Sequence, residues 1–585
     1  MSYACRKRLV LVLFRGEFVL SCRKKFDAMI RIFTLTFLLC LAFSLRLSAQ
    51  PSSSVRAAAE WEEMQALTIT WTYYNNNNIR NILVEIVRHA REEANVIIVC
   101  SNAATVQTVL TAAGVDWSSN VTFLVGNYDS IWARDYGGNS VYTNDVDSLL
   151  MIDWIYNRPR PKDDLVPEVL ATYLDIPYYG TTTAPLDLVN TGGNYMSDGM
   201  GTAFCSELVI DENGANNQYG ISNQNETEID NIMQQYMGIG SYIKMPTLPY
   251  DDIHHIDMHM KLLDEETLLV AEYPAGIADG PQIEANIQYV LSNFTSTFGH
   301  PFRVIRIPSP PDGAQYPNSG GDYRTYSNAT FINKTVLVPF YAEQYDTVAQ
   351  RIWEEALPGY KIVGINCNAI IGYLGAIHCI THEIGTNDPL LINHARLGNQ
   401  PYGQSVGYQV DARIKHRSGI ASATLYYRLE GETTYQNMSM SAAGDDAWTA
   451  NIPEQIGGSR VEYYVGASAN SGKSQVRPLP APEGFWRFSV DTLVVGTQDL
   501  STTWLPIFPN PCRAITCIPV NNTTTSSAVI EISDLQGRLV QRIFEGSIPA
   551  GTSRYFFDAR TLVSGIYTVS LITPTGVQTQ KVVVE

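Results

Sequence analysis

Residues 375–385 read "GAIHCITHEIG", with Cys379 set between His378 and His382 in an apolar run that a glycine opens and closes. A cysteine so placed is a packed small hydrophobe, a metal ligand or a nucleophile. A zinc site from His378, Cys379 and His382 lacks an evident fourth ligand, and neighbouring residues on a strand point to opposite faces. A nucleophilic thiol needs a base or a positive field nearby. Three other polar clusters offer partners: "DSIWARDYGG" (129–138), "HHIDMHMK" (254–261) and "YSNATFIN" (326–333). From these come Trp132, Arg134, Asp135, His255, Asp257 and Asn328. His255 suits the base. Asp135 and Asp257 are puzzling beside a thiolate, because like charges raise a thiol pKa. They make sense if the substrate is a flat cation: a guanidinium has a fork of N–H donors that carboxylates grip in pairs. Taken singly, each cluster reads equally as structure: a salt-bridged turn, a buried His-x-Asp, a core cysteine.

Short apolar runs alternate with amphipathic stretches between about 60 and 395. "ALTITW" precedes "IRNILVEIVRHAREE" and "NVIIVC"; "TLLVAEY" precedes "PQIEANIQYVLSNFTSTFG" and "FRVIRIP"; "KTVLVPFY" precedes "EQYDTVAQRIWEEALPG" and "KIVGIN". This order predicts an α/β domain of repeated, pseudo-symmetric modules over 51–395. Near 400 the helical period ends. Runs such as "ATLYYRLEG" and "VEYYVGASA" predict an immunoglobulin-like β-sandwich over 400–492. A linker near 491–503 leads to a last β unit at 503–585.

The chain has 585 residues, 45% hydrophobic and 17% charged, with a net charge of −18, which argues against a nucleic-acid binder. From Met29 a basic residue, an apolar run and Leu47-Ser48-Ala49 form a signal peptide over 29–50, and 1–28 reads as a mis-assigned start. No other run is long and apolar enough to span a bilayer. The nine cysteines follow no zinc or disulfide spacing, and no P-loop, dinucleotide fingerprint or nucleophile elbow occurs.

The joint order of motifs resembles the guanidine-modifying superfamily. Trp132-Ala-Arg134-Asp135-Tyr-Gly137, Gly192-Gly193-Asn194, His255-Ile-Asp257, Asn328 and Ile377-His378-Cys379 are similar to the agmatine deiminase and bacterial peptidylarginine deiminase branch. The resemblance spans about 56–395 and implies a five-bladed α/β propeller. It implies Cys379 as nucleophile, His255 as acid and base, Asp135 and Asp257 as guanidinium ligands, Asn328 as an orienting residue, and Trp132 and Ile253 as substrate-binding wall. It implies no cofactor and independence of calcium. Residues 508–511 (FPNP), 534–537 (DLQG), 564–567 (SGIY) and 581–584 (KVVV) resemble the C-terminal sorting domain of type IX secretion. That implies export to the cell exterior or surface and recognition by the secretion machinery; an ordinary β adhesion module is the alternative.

Substrate choice rests on "YNRPRP" (156–161). Proline favours extended backbone, so Arg158 and Arg160 are expected on one side, where two guanidiniums suit a carboxylate. A peptide ending in arginine has that carboxylate; agmatine has an amine. The competing expectation pairs both arginines with Asp163 and Asp164. The function expected is therefore a secreted deiminase of peptide arginine, with C-terminal arginine preferred. Exported agmatine or free-arginine deimination, and an inactive surface-binding protein, are the alternatives.

Overall fold

The computed structural model describes residues 50–491 and 502–585, except 524, 535–536 and 574–575. The expected signal peptide, the segment 1–28, the linker and the Leu535-Gln536 part of the final turn lie wholly or largely outside the described residues.

From Val55 to Gly385 the described residues build five sheets, none of which closes on itself. They share one order: two antiparallel strands, a helix, then a strand parallel to the second. In one, Met260–Asp264 pairs with Thr267–Glu272, the helix Gly280–Asn293 crosses over, and Arg303–Pro308 returns in parallel. In another, Thr330–Ile332, Thr335–Phe340, the helix Glu343–Ala356 and Lys361–Asn366 repeat it. The others run from Asn139–Thr143 to Tyr178–Thr181 and from Met196–Ser197 to Ser241–Met245. The fifth is assembled from distant parts of the chain. His382–Gly385 lies antiparallel to Met64–Thr70, which continues through the helix Asn77–Ala90 to the parallel strand Asn95–Cys100.

Local chemistry dictates these elements. The helix Asn77–Ala90 buries Ile79, Ile82, Leu83, Ile86, Val87 and Ala90, one apolar stripe at helical spacing, and the Asn76 side chain caps its start. Asn95–Cys100 lies between two parallel neighbours and is apolar along nearly its whole length, as a strand covered on both faces requires. The helix Glu226–Met237 opens on a capping box of Asn225 and Glu228 and ends at Gly238, φ 72°. A Cβ there would lie 1.9 Å from the Val55 carbonyl oxygen, so glycine alone fits.

The repeat also places the polar motifs. In each of the five sheets, a motif lies in the short turn leading into the first strand of the unit. The turns are Ala133–Tyr136 before Asn139–Thr143, Gly192–Asn194 before Met196–Ser197, and Ile256–Met258 before Met260–Asp264. Asn328 precedes Thr330–Ile332, and His378–Ile380 precedes His382–Gly385.

Residues 391–489 form two antiparallel sheets. Leu391–Asn393, Tyr408–Lys415, Ala447–Ile452 and Ser441–Gly444 make one. Ile420–Leu429 and Arg460–Ala469 centre the other. Val410, Ile414, Leu425, Tyr463, Val465 and Phe488 share a core between them. Strand Tyr408–Lys415 alternates buried and more exposed positions, the period of a sheet with one covered face. The last described residues are also antiparallel β, around Ile515–Asn522 and Ser526–Ser533.

Leu67 is fully buried in the strand that joins the two ends of the α/β region. Leu67→Ala is expected to lower the unfolding free energy of that region by about 2–5 kcal/mol, read as a lower urea midpoint.

Candidate active site

The entry turns meet. Asn328 gathers the nucleophile turn: its Oδ1 accepts the backbone N–H groups of Ala376 at 3.2 Å, His378 at 3.1 Å and Cys379 at 3.4 Å. Its Nδ2 donates to Cys379 Sγ at 3.2 Å. The Cys379 thiol donates to Asp257 Oδ2 at 3.5 Å. His255 Nδ1 stands 3.7 Å from Asp135 Oδ1. Arg134 forks onto Glu383 at 2.6 and 3.1 Å, and its Nε donates to the His378 carbonyl at 3.4 Å, bracing the same turn from below. The five expected catalytic residues, Cys379, His255, Asp135, Asp257 and Asn328, are thus brought together, all less than a tenth exposed.

Two glycines let the turns approach. A Cβ on Gly193 would lie 2.4 Å from His255 Nδ1 and 3.0 Å from Asp135 Oδ1. A Cβ on Gly375 would lie 2.5 Å from Trp132 Cζ3 and 3.1 Å from Cys379 Sγ. Trp132 and the Cys379 thiol thus both stand against Gly375. Ile253 is half-buried, and its N–H donates to Asp251 Oδ1 at 3.3 Å. His254 adopts a left-handed φ of 56°, held where Ser206 Oγ donates to its carbonyl at 2.6 Å. Asn194 Oδ1 in turn accepts the Ser206 N–H at 2.8 Å. The Gly-Gly-Asn motif thus supports the backbone that aims His255.

The electrostatics oppose ionisation of the thiol and set the two acids apart. Burial, the Asp257 charge and the Asp135 charge push the Cys379 thiol well above its ordinary range. Burial and then Asp257 raise Asp135 to about 7. Burial holds His255 neutral, with its pKa down to about 4. Asp257 differs: burial opposes its ionised form, but the His378 hydrogen bond and charge outweigh this and hold it below the usual range. Among the described residues, Asp135 Oδ1, Asp257 Oδ1 and both His255 ring nitrogens are buried without a hydrogen-bond partner. Buried acceptors left open carry a desolvation cost that a guest with N–H donors removes.

Two expectations about the arginines need correction. The chain at 157–159 bends, and the Arg160 N–H donates to the Arg158 carbonyl at 2.7 Å. This i to i+2 contact reverses the backbone at Pro159, so the extended side-by-side pair does not form. Arg160 is tied down, its Nη1 donating to Tyr156 OH at 2.9 Å and Ser130 Oγ at 3.4 Å. Arg158 is exposed and, among the described residues, has no side-chain hydrogen bond or ion pair, yet its charge acts on both Asp135 and His255. The competing pairing with Asp163 and Asp164 does not form either. Asp163 accepts from Asp129 N, Ser130 N and Ser130 Oγ, and Asp164 accepts from Tyr156 N.

In the sequence His378 stands as a candidate metal ligand and as part of the Ile377-His378-Cys379 motif, without a further role, and nothing marks Glu60. His378 Nδ1 lies 2.7 Å from Asp257 Oδ2, and Nε2 lies 3.1 Å from both Glu60 oxygens. Glu60 also accepts from Lys261. Its sequence signal is slight: one acid in "AAAEW", in a stretch otherwise rich in buried residues.

Two outcomes follow from this geometry. Gly193→Ala displaces His255 and Asp135 and is expected to lower kcat about 10²-fold or more in a steady-state assay. For Asp135 the folded chain keeps a proton that the unfolded chain, at the ordinary 3.8, gives up. The stability this contributes is present below that value and lost as pH rises through about 7. Asp135→Asn is therefore expected to inactivate the protein. The same variant should be more stable than the parent at pH 8, on the order of 1 kcal/mol or more, with the gap closing below pH 4, read by thermal melts.

Residues 56–384, more than half of the chain, match the family model of the Porphyromonas-type peptidyl-arginine deiminase. Residues 506–585 match the secretion system C-terminal sorting domain, which marks the chain for type IX export and the cell surface. Among the described residues no helix is long and apolar enough to cross a membrane. Two relatives bear the name "Putative agmatine deiminase". That of Mycoplasma mycoides subsp. mycoides is 23% identical over 292 residues, 45% of this chain and 77% of that protein. That of Vibrio parahaemolyticus is 26% identical over 297 residues, 46% of this chain and 78% of that protein. An X-ray structure under the same name matches with a TM-score of 0.50 and 20% identity, over 57% of this chain and 96% of that one, a likeness of fold. By its matched sequence and the shared fold, the chain belongs to the Porphyromonas-type peptidyl-arginine deiminase family.

Proposed function

We propose that this protein is a secreted deiminase that converts arginine at the end of a peptide to citrulline and ammonia through a cysteine-bound intermediate. The observation that carries the reading is the set of open acceptors, Asp135 Oδ1 and Asp257 Oδ1, beside Cys379 and the unpartnered His255 ring. A guanidinium fills both acceptors. Its charge offsets the two carboxylates that oppose thiolate formation, so the nucleophile becomes available when substrate is bound.

In this scheme the thiol proton ends on His255 and the thiolate attacks the guanidinium carbon. His255 returns the proton to the departing nitrogen, and ammonia leaves an S-alkylthiouronium. Water then adds as His255 takes its proton. The adduct collapses to the ureido product, and the thiol is restored. Asn328 holds the sulfur and turn in place, and Trp132 and Ile253 flank the substrate. The five like-ordered sheets act as five blades around the site, and the two-sheet region after them as an immunoglobulin-like module. No calcium is required.

Arg158 supports the peptide reading. It is a free guanidinium whose field reaches the pocket, with Arg160 fixed behind it, and it suits the α-carboxylate that a C-terminal arginine presents. Agmatine brings an amine to the same place. The names of the two agmatine deiminase relatives favour the second reading, deimination of agmatine or free arginine after export. A surface-binding role without chemistry is the third. It leaves unexplained why Asp135 Oδ1 and Asp257 Oδ1 are left without partners beside a buried thiol.

Citrulline formation is to be measured on agmatine, free arginine, and peptides with internal or C-terminal arginine, with and without EDTA. The peptide with C-terminal arginine is expected to give the highest kcat/KM, unchanged by EDTA. Arg158→Ala should cost that substrate about tenfold or more while leaving agmatine nearly unaffected. Preference for agmatine overturns the peptide assignment, and no turnover on any substrate overturns the enzyme.

A further inference from the structure

Asp257 has two oxygens with different lives. Oδ2 meets His378 Nδ1 at 2.7 Å and the Cys379 thiol at 3.5 Å, whereas Oδ1 has no partner. Behind His378 stands Glu60, both of whose oxygens lie 3.1 Å from Nε2, and behind Glu60 stands Lys261, which donates to it. His378 is fully buried, and the Glu60 and Lys261 side chains are 13% and 1% exposed. Charge alternates along this row, and the reaction proposed above uses none of its rear members.

A neutral imidazole has one N–H and one bare nitrogen, and an ionised carboxylate offers no hydrogen. Two carboxylates facing both nitrogens are satisfied only when the trio holds one proton more than a neutral ring between two anions. Burial opposes ionisation of Glu60, but His378, Lys261 and Arg134 hold it well below the usual carboxylate range. Asp257 and Glu60 thus occupy both ring nitrogens of His378. The other charged or titratable groups whose fields reach the trio are Glu383, His255, His382, His259, Asp135, Asp251 and Cys379.

We propose that Glu60 and His378 are positioning residues that clamp Asp257 by Oδ2 and so leave Oδ1, as a full anion, to take the guanidinium. Glu60 acts only through His378: its two oxygens on Nε2 fix the ring so that Nδ1 stays against Asp257 Oδ2. Without the Glu60 carboxylate nothing holds Nε2, and the ring is no longer fixed against Oδ2. Asp257 is then free to turn or to take the thiol proton, and the pocket loses its preference for a cation. This role rests on the deiminase reading of the site, but its test needs no turnover.

Cys379 is to be alkylated by two reagents, a cationic haloacetamidine and neutral iodoacetamide, and the ratio of their rates followed by mass spectrometry from pH 5 to 9. In Glu60→Gln the ratio is expected to fall at least about tenfold, with its pH profile displaced. His378→Asn, which keeps a donor toward Asp257 but no reach to Glu60, is expected to show the same fall, and Glu60→Gln should add nothing to it. Glu60→Asp, which retains the charge, should recover part of the ratio and stands in if Glu60→Gln does not fold. A ratio equal to the parent's, an equal slowing of both reagents, or additive effects of the two substitutions would each overturn the proposal. Absence of citrulline formation would overturn the deiminase reading alone.

Discussion

A buried thiol shares its pocket with two carboxylates, and that repulsion is the constraint on which the rest of this molecule turns. Asp257 touches Cys379, and Asp135 acts on it from beside His255. Neither acid neutralises a cation of the protein at its open oxygen. In a low-dielectric interior such an arrangement of unpaired acceptors costs free energy. The acids are also unlike each other. Asp257 is kept anionic by His378, while Asp135 is driven toward neutrality by burial and by Asp257 itself. One carboxylate is a fixed charge and the other a responsive one.

A site under this strain needs a scaffold that does not relax. Each contributing motif sits in a short turn at the entry to a strand pair, and each strand pair is locked by a helix and a parallel strand behind it. The turns then brace one another. Asn328 ties the Cys379 turn by three backbone N–H groups, Arg134 ties it by the His378 carbonyl, and Gly193 lets His255 and Asp135 close to within van der Waals range of its backbone. Bulk at either Gly193 or Gly375 would move reacting groups rather than surface, which is why glycine stands at both.

The β region after Gly385 ties itself to the α/β part through charge pairs, including Arg413 and Lys415 on Asp145 and Lys473 on Glu63. The C-terminal sorting domain gives the chain an extracellular destination. Yet the six described cysteines are all buried and unbridged, so stability there comes from packed cores rather than disulfides. Five of them sit in structural settings. Among the described residues, Cys379 is the cysteine whose thiol hydrogen-bonds a carboxylate, Asp257 Oδ2.

Much of this was legible in the residues. The alternation of apolar runs and amphipathic helices specifies the strand–helix–strand order, because periods of 2 and 3.6 bury different faces. The residue types of the site were legible through their joint order, which resembles a known branch. Charge logic added that two acids beside a thiol make sense with a cationic guest. What the linear order lacked was distance. His378 and Glu60 lie 318 positions apart, and only folding puts Glu60 against His378 and divides the two oxygens of Asp257 between clamp and guest. The proline-spaced arginines failed for a related reason. A backbone hydrogen bond across Pro159 and the demands of Tyr156 and Ser130 on Arg160 overrode the local preference for an extended chain. Sequence determined which groups the pocket holds, since chemistry follows from type. Tertiary structure decided which atom of each group is spent on the protein and which is left for a ligand, since that depends on contacts between segments the chain keeps far apart.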